Sequence, residues 1–170
     1  SFESSNIRQL SRMLDLDALL ETAVQSLHDD FGYHSVAILT LDEGQELLTA
    51  RTLAGRFASI VPRGHTQDLN EGLIGWAARH AETILVNDVT TDPRYVNYFP
   101  RRVKTQSELC VPIRIGDSVA GVLDVQSKHR DAFGDSDVKA LEILTGQIAA
   151  AMENARLYQA ERAAHEQVRD

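Results

Sequence analysis

The hydrophobic positions of this chain change period several times, and each change marks an element. Leu16, Leu19, Leu20, Ala23, Val24 and Leu27 fall on one helical stripe, the pattern of an amphipathic helix. Asp15 or Asp17 can cap its start. Phe31–Gly32 ends it, since glycine adopts a left-handed conformation without cost. Asn6–Leu14 extends the helical pattern upstream. His34–Leu41 (HSVAILTL) then reads as a strand and Glu46–Leu53 (ELLTARTL) as its partner, with Asp42–Gln45 as the hairpin turn. The first of these strands is apolar at nearly every position, so both its faces are expected to be covered.

Residues 55–70 read as a loop with room for a short strand. Leu73–Ala81 is predicted helical, with Asn70 as a candidate cap, and Ile84–Val89 as a short strand. Thr90–Gln106 has no period and carries an Asp92–Pro93 turn. Ser107–Ile115 and Ser118–Gln126 are strands joined by Gly116–Asp117, a pair suited to a type II′ turn. From about Asp135 a long helix carries Leu141, Leu144, Ile148, Ala151, Ala155 and Tyr158 at spacings of three and four. Ala149–Ala150–Ala151 leaves room for a second helix to approach. Beyond Arg156 the stripe thins to alanines and the charges alternate through Glu161, Arg162, Glu166 and Arg169. Such a helix has little apolar surface of its own. It is expected either to pair with a second copy in a parallel coiled coil or to fray. Strands outnumber crossover helices, which predicts an α+β sandwich around a mainly antiparallel sheet. The terminal helices would cover one face, and the middle helix with the irregular segment the other.

At 170 residues, 43% hydrophobic and 25% charged, the chain has the composition of one ordinary globular domain. We place that domain at 1–160, with 157–170 starting a C-terminal signalling helix. The start at Ser1, without methionine, and the stop within a helical pattern at Asp170 suggest a piece of a longer protein. A net charge of −8 argues against nucleic acid as a partner, which demands clustered cations. The one basic cluster, Arg94, Arg101, Arg102 and Lys104, is either a solvated loop or an anion-contacting rim. A single cysteine, Cys110, cannot form an internal disulfide, and no zinc spacing is present. A reducing cytoplasm is the expected compartment. No apolar run approaches the roughly 20 residues of a membrane helix, so no membrane contact by this segment is expected.

Six short patterns occur in order: Glu71-Gly72 with Gly75 and Ala78; Val86-Asn87-Asp88-Val89; Asp92-Pro93-Arg94-Tyr95; Leu109-Cys110-Val111-Pro112-Ile113; Gly121-Val122-Leu123-Asp124-Val125; and Phe133 with Asp137 and Leu141. Together these resemble the GAF family of small-molecule regulatory domains, over roughly Leu16 to Tyr158. The resemblance implies a six-stranded antiparallel sheet with a ligand pocket over one face. It implies a homodimer formed through the first and last helices, and a downstream effector domain such as a histidine kinase, diguanylate cyclase, phosphodiesterase or transcription activator. The ligand would be an unidentified small molecule, and no cofactor is specified.

The family's known chemistries can be tested against these residues. A free methionine-(R)-sulfoxide reductase needs a nucleophilic and a resolving cysteine, and only Cys110 is present, so a non-enzyme is expected. Covalent bilin attachment needs a cysteine in residues 90–106, which hold none. Cyclic-nucleotide-binding members carry an N-K-F-D-E set that Asn87 and Asp88 alone do not supply. Haem would need an axial ligand from His34, His65, His80 or His129; His34 and His80 read as surface residues. Tyr95, Tyr98 and Phe99 either stack on a flat ligand or plug the cavity. Alternation puts Glu108 and Cys110 on one face of their strand, and Asp124 shares a face with Gln126. The carboxylates either face water or need a partner, from a ligand or from Arg94 or Arg102. The candidate ligand-contacting set is therefore Asp88, Tyr95, Tyr98, Phe99, Glu108, Cys110 and Asp124. The function expected is a non-catalytic sensor that relays ligand state through a dimeric C-terminal helix. The alternatives are a ligand-free dimerisation module and, behind it, a haem- or cyclic-nucleotide-binding domain.

Overall fold

A computed structural model describes residues 2–42, 44 and 46–169. Helix α1 (Phe2–Asp29) leads into strands β1 (Ser35–Leu41) and β2 (Leu47–Gly55), a short helix α2 (Arg56–Ile60) and strand β3 (Thr66–Asp68). Helix α3 (Gly72–His80), strand β4 (Ile84–Val86) and a 3-10 turn at Val89–Thr91 follow. Strands β5 (Ser107–Ile115) and β6 (Ser118–Ser127) and helix α4 (Asp135–Arg169) complete the chain. The strands form one six-stranded sheet in the order β3-β2-β1-β6-β5-β4, and every neighbouring pair is antiparallel.

Alternation along the central strands builds two cores. Val36 and Ile38 of β1, Leu109, Val111 and Ile113 of β5, and Leu123 and Val125 of β6 pack on Leu20, Val24 and Leu27 of α1 and Leu141 and Ile148 of α4. The opposite face presents Ala37, Leu39, Cys110 and Val122 to Leu73 and Ala77 of α3, Phe57 of α2 and Val103. The sheet is thus covered on both sides, which accounts for the unbroken apolar run of β1. Each side chain wholly removed from water contributes roughly 1.5–3 kcal/mol. Pro112 is accommodated because β4 stops at the Ile84–Cys110 pair, so beyond it β5 is an edge strand.

The termini meet on the helical face. The Arg12 guanidinium lies 4.3 Å from the Tyr158 ring centroid, and Arg162 donates to Asn6. As α1 advances, its contacts on α4 recede, so the two helices run antiparallel. The thin end of α4 therefore has an intrachain neighbour that its own stripe does not reveal.

Several local expectations are corrected. Strand β4 ends at Val86 rather than Val89, because the Asp88 carboxylate accepts the Thr90 backbone N–H at 3.1 Å and starts the 3-10 turn instead. Asn70 does not cap α3. Its own N–H is taken by Asp68 Oδ1 at 2.7 Å, and Glu71 occupies the cap position without a capping bond from its side chain. Helix α2, inside the expected loop, turns Phe57 and Ile60 inward. In the expected Asp42–Gln45 turn, Glu43 and Gln45 lie outside the described residues. Gly116 has φ +59°, as a type II′ turn requires at its first central position.

Gly121 sits where β1 and β6 come closest. A Cβ there would lie 2.3 Å from the Leu39 carbonyl oxygen, inside contact distance of backbone that cannot rotate away. Gly121→Ala is expected to destabilise the domain by about 1–3 kcal/mol. Gly146→Ala, on α4 with no atom within 4 Å of the added Cβ, is expected to gain up to about 1 kcal/mol from helix propensity. Urea and thermal unfolding of both variants check this. Equal effects of like sign would contradict the close approach of β1 and β6.

Candidate functional site

The face of the sheet opposite α1 and α4 holds a cavity of about 60 Å³, several times the roughly 10–15 Å³ that one water needs. It exists because the sheet carries small residues there: Ala37 on β1 and Ala50 on β2. Leu73 and Ile74 of α3 and Phe57 of α2 form its walls, and His65 and Gln67 close one side. The segment between Tyr95 and Val103 lies over it.

The floor contains two buried carboxyl groups. The strand register puts Asp124 of β6 beside Ala37 on one side and Cys110 on the other, with Glu108 opposite Gln126 two pairs further along, on the same face. Glu108 is 3% exposed and Asp124 1%. They do not face water, so that alternative is excluded. Cys110 Sγ lies 3.3 Å from Asp124 Oδ1 and 3.5 Å from Glu108 Oε2. The Gln126 amide donates to Asp124 Oδ2 at 2.8 Å and to Glu108 Oε2 at 3.0 Å. Thr105 donates its hydroxyl to Gln126 Oε1, which orients that amide with both N–H bonds toward the carboxyls.

Burial opposes the ionisation of this group. It pushes Glu108 well above the ordinary carboxylate range, and the neighbouring Asp124 charge adds to the effect. Asp124 is raised by burial too, while bonds from Glu108, Gln126 and Cys110 pull it back. The pair therefore shares a proton, with Asp124 the better anion. The Cys110 thiol is raised well above its usual value by burial, then by both carboxylates. It acts as a neutral donor and not as a thiolate. Sγ and the two carboxylate oxygens lie within 4.8 Å of one another, close enough to share an ion, though only after Cys110 and the pair gave up their protons.

The covering segment is tied down by its own turns. Asn97 donates to the Val103 carbonyl at 2.9 Å and accepts the Phe99 N–H at 2.9 Å. Tyr98 donates its hydroxyl to Glu71 Oε2 at 2.8 Å, across the mouth to the start of α3. His65 meets Tyr98 edge-on and Phe99 at a tilt, with ring centroids 5.6 and 5.2 Å away. Burial lowers the His65 pKa, so the imidazole is neutral at physiological pH. Burial, with lesser help from Glu108 and Asp124, pushes Tyr95 up to about 12.

Of the candidate residues, Tyr95, Tyr98, Phe99, Glu108 and Asp124 line the cavity, and Cys110 lies beneath it between the two carboxyls. Asp88 does not reach it, which corrects that expectation. Its carboxylate is spent on Thr90, from which it accepts hydroxyl and N–H bonds at 2.6 and 3.1 Å, and on Arg130 at 3.6 Å. Nor do the suggested arginines serve the carboxyls. Arg94 donates two hydrogen bonds to the Asp92 carboxylate and lies over Trp76, and Arg102 reaches the Ser59 carbonyl at 3.4 Å. Of the histidines considered for haem, His65 alone lines the cavity. Gln67 was not anticipated. Its strand, Thr-Gln-Asp, is polar throughout, so alternation gives no sign that the middle residue points inward.

A linkage prediction follows from the carboxyl pair. Both folded values lie above the ordinary ones, 4.5 for Glu108 and 3.8 for Asp124, so folding favours the protonated forms. Their contribution is complete below the ordinary values and is lost as pH rises through the raised ones. The lowered His34 and His65 contribute in the opposite sense, so the comparison must be with a variant. Between about pH 5 and about pH 8, the melting temperature of Glu108→Gln is expected to gain steadily on that of the wild type. A constant difference across that range would show that the pair does not titrate as described.

A family model described as the GAF domain matches residues 13–153. The dual 3',5'-cyclic-AMP and -GMP phosphodiesterase 11A of Takifugu rubripes is 31% identical over 104 residues, which is 58% of this chain and 12% of that protein. The chain spans only 12–13% of the curated phosphodiesterases it matches. Among solved structures, the GAF domain of a phosphoenolpyruvate-protein phosphotransferase from Coxiella burnetii has a TM-score of 0.77 at 21% identity, covering 90% of this chain and 94% of that one. Free methionine-R-sulfoxide reductase from Neisseria meningitidis, in complex with its substrate, has a TM-score of 0.74 at 23% identity, covering 84% and 80%. At such identities the two structures speak to fold alone. With a family model matched across most of its length and the six-stranded sheet in place, the chain belongs to the GAF domain family.

Proposed function

We propose that this domain is a non-catalytic sensor within a larger signalling protein, binding a small molecule over the sheet and relaying its presence through a dimer of α1 and α4. The observation that carries the proposal is the cavity itself, with a polar floor sunk in an apolar wall and one short segment as its cover. Pockets with an apolar lining and a few fixed polar groups are the usual form of small-molecule sites. The phosphodiesterase similarity supports a signalling context.

Two further features favour this reading. Cys110 is the only cysteine of this chain, its thiol is held protonated, and the chain offers no second thiol to regenerate it after oxidation; this supports a non-catalytic role. On the helical side, Ile7, Leu10 and Leu14 of α1 are 67, 60 and 62% exposed, and Ile143 and Leu157 of α4 are 66 and 55% exposed. Ile143, Ala150 and Leu157 recur at heptad spacing. A second copy laid against these stripes would cover them in a four-helix bundle. No helix among the described residues is long and apolar enough to cross a membrane.

A second reading, a dimerisation module with no ligand, draws on the aromatic plug of Tyr95, Tyr98 and Phe99. Native mass spectrometry of freshly purified protein separates the two. The sensor reading expects a dimer carrying an additional small mass, and a clean apo dimer favours the plug. Spin labels on His165→Cys, measured by double electron–electron resonance, should change their separation when that mass is removed. An unchanged distance would end the relay proposal. Incubation with methionine sulfoxide and a dithiol should give no methionine; turnover would end the non-catalytic one.

A further inference from the structure

The cavity is electrically lopsided. At its β5–β6 end Glu108 and Asp124 are almost wholly buried, and the bonds they receive come from Cys110 and Gln126, both neutral groups. Among the described residues no lysine or arginine lines the cavity. A buried carboxylate without a cation is one of the least favourable groups a protein can hold. At the β3 end the deficit is reversed. Gln67 is 6% exposed, lines the same cavity, and its Nε2 has no acceptor. One end lacks a cationic donor and the other lacks an acceptor.

The sheet order fixes how far apart these needs are. From β3 through β2 and β1 to β6 there are three strand spacings, each roughly 4.8 Å. Between them the lining is apolar and aromatic, from Phe57, Leu73, Val103 and Phe99. We propose that the cavity takes an extended primary amine with a hydrogen-bond acceptor at its far end. The ammonium sits on Glu108 and Asp124, a carboxylate or carbonyl accepts from Gln67, and a methylene chain crosses the apolar middle. The proposal rests on the ligand-binding reading above and narrows it to one chemical class.

An ammonium offers three donors and one positive charge. It suits a pair that keeps one proton and one negative charge. A divalent metal suits it less well, since Glu108, Cys110 and Asp124 would all have to ionise, and Gln67 would stay unpaired. An α-amino acid carries amine and carboxylate on the same carbon and does not reach both ends through that pair of groups.

The test uses 6-aminohexanoate, hexylamine and hexanoate, titrated calorimetrically into the full 170-residue chain. Saturable binding of 6-aminohexanoate is expected. Hexylamine should bind about 10-fold more weakly, and hexanoate at least about 100-fold more weakly. Glu108→Gln and Asp124→Asn should each weaken both amines by about 10-fold or more. Gln67→Leu should bring 6-aminohexanoate down to the level of hexylamine and leave hexylamine unchanged. Unfolding curves confirm that each variant is folded. The proposal is overturned if neither amine binds, if hexanoate binds as well as the amines, or if zinc binds stoichiometrically and excludes them. A co-purifying molecule that is not an amine would also overturn it while leaving the sensor reading intact. Loss of the dimer or of the distance change at residue 165 would bring down the relay and leave this assignment standing.

Discussion

Two carboxyl groups at the centre of a sheet covered on both faces set the terms for everything around them. Glu108 and Asp124 lie on the strands that carry the main cores, almost wholly removed from solvent. They stay there because a thiol, a primary amide and the other carboxyl supply hydrogen bonds in place of water, and because the pair retains a proton. Gln126 can serve both only if its oxygen is occupied elsewhere, which is the task of Thr105. Thr105 in turn belongs to the irregular segment that covers the cavity. The floor and the cover are thereby parts of one hydrogen-bond network, and a change in the charge on the floor is felt two bonds away in the cover.

Much of the fold was legible in the sequence because it rests on period. The α1 stripe, the apolar β1 and the alternation of β5 and β6 each name a face, and the faces together demand the two-sided sheet. The Gly116–Asp117 turn was legible for a different reason, since few residues other than glycine accept its backbone angles. What escaped was decided by contacts distant in sequence or by short polar segments. The neighbour of the α4 tail is the start of α1, more than a hundred residues away. Helix α2 is a single turn held by Phe57 and Ile60, too short to show a period. Asp88 has the same surroundings in sequence whether its carboxylate faces a ligand or caps the 3-10 turn, and the turn takes it.

The candidate site was partly legible for the same reasons. Alternation paired Glu108 with Cys110 on one strand and Asp124 with Gln126 on the next, but that the two pairs share a buried face depends on the strand register, on α3 and on the segment over it, which no local pattern shows. Gln67 was silent because its strand is polar at every position. Lone Cys110 is a further instance of context deciding chemistry. In an electropositive site the same side chain would be a nucleophile; between two carboxylates it is a proton donor and a small packing group.

Helix α4 runs without interruption from Asp135 to Arg169, about 50 Å at 1.5 Å per residue. Leu141 and Ile148 pin its first third to the sheet directly behind β5 and β6, on the reverse side of the strands that carry Glu108 and Asp124. The rest extends like a lever arm with its fulcrum on the backs of the strands that floor the cavity. A tilt of only about 5° at that fulcrum carries the far end through roughly 2–3 Å, given the helix rise. The unbroken helix thus turns a small change of angle at the sheet into a displacement of ångströms at its far end.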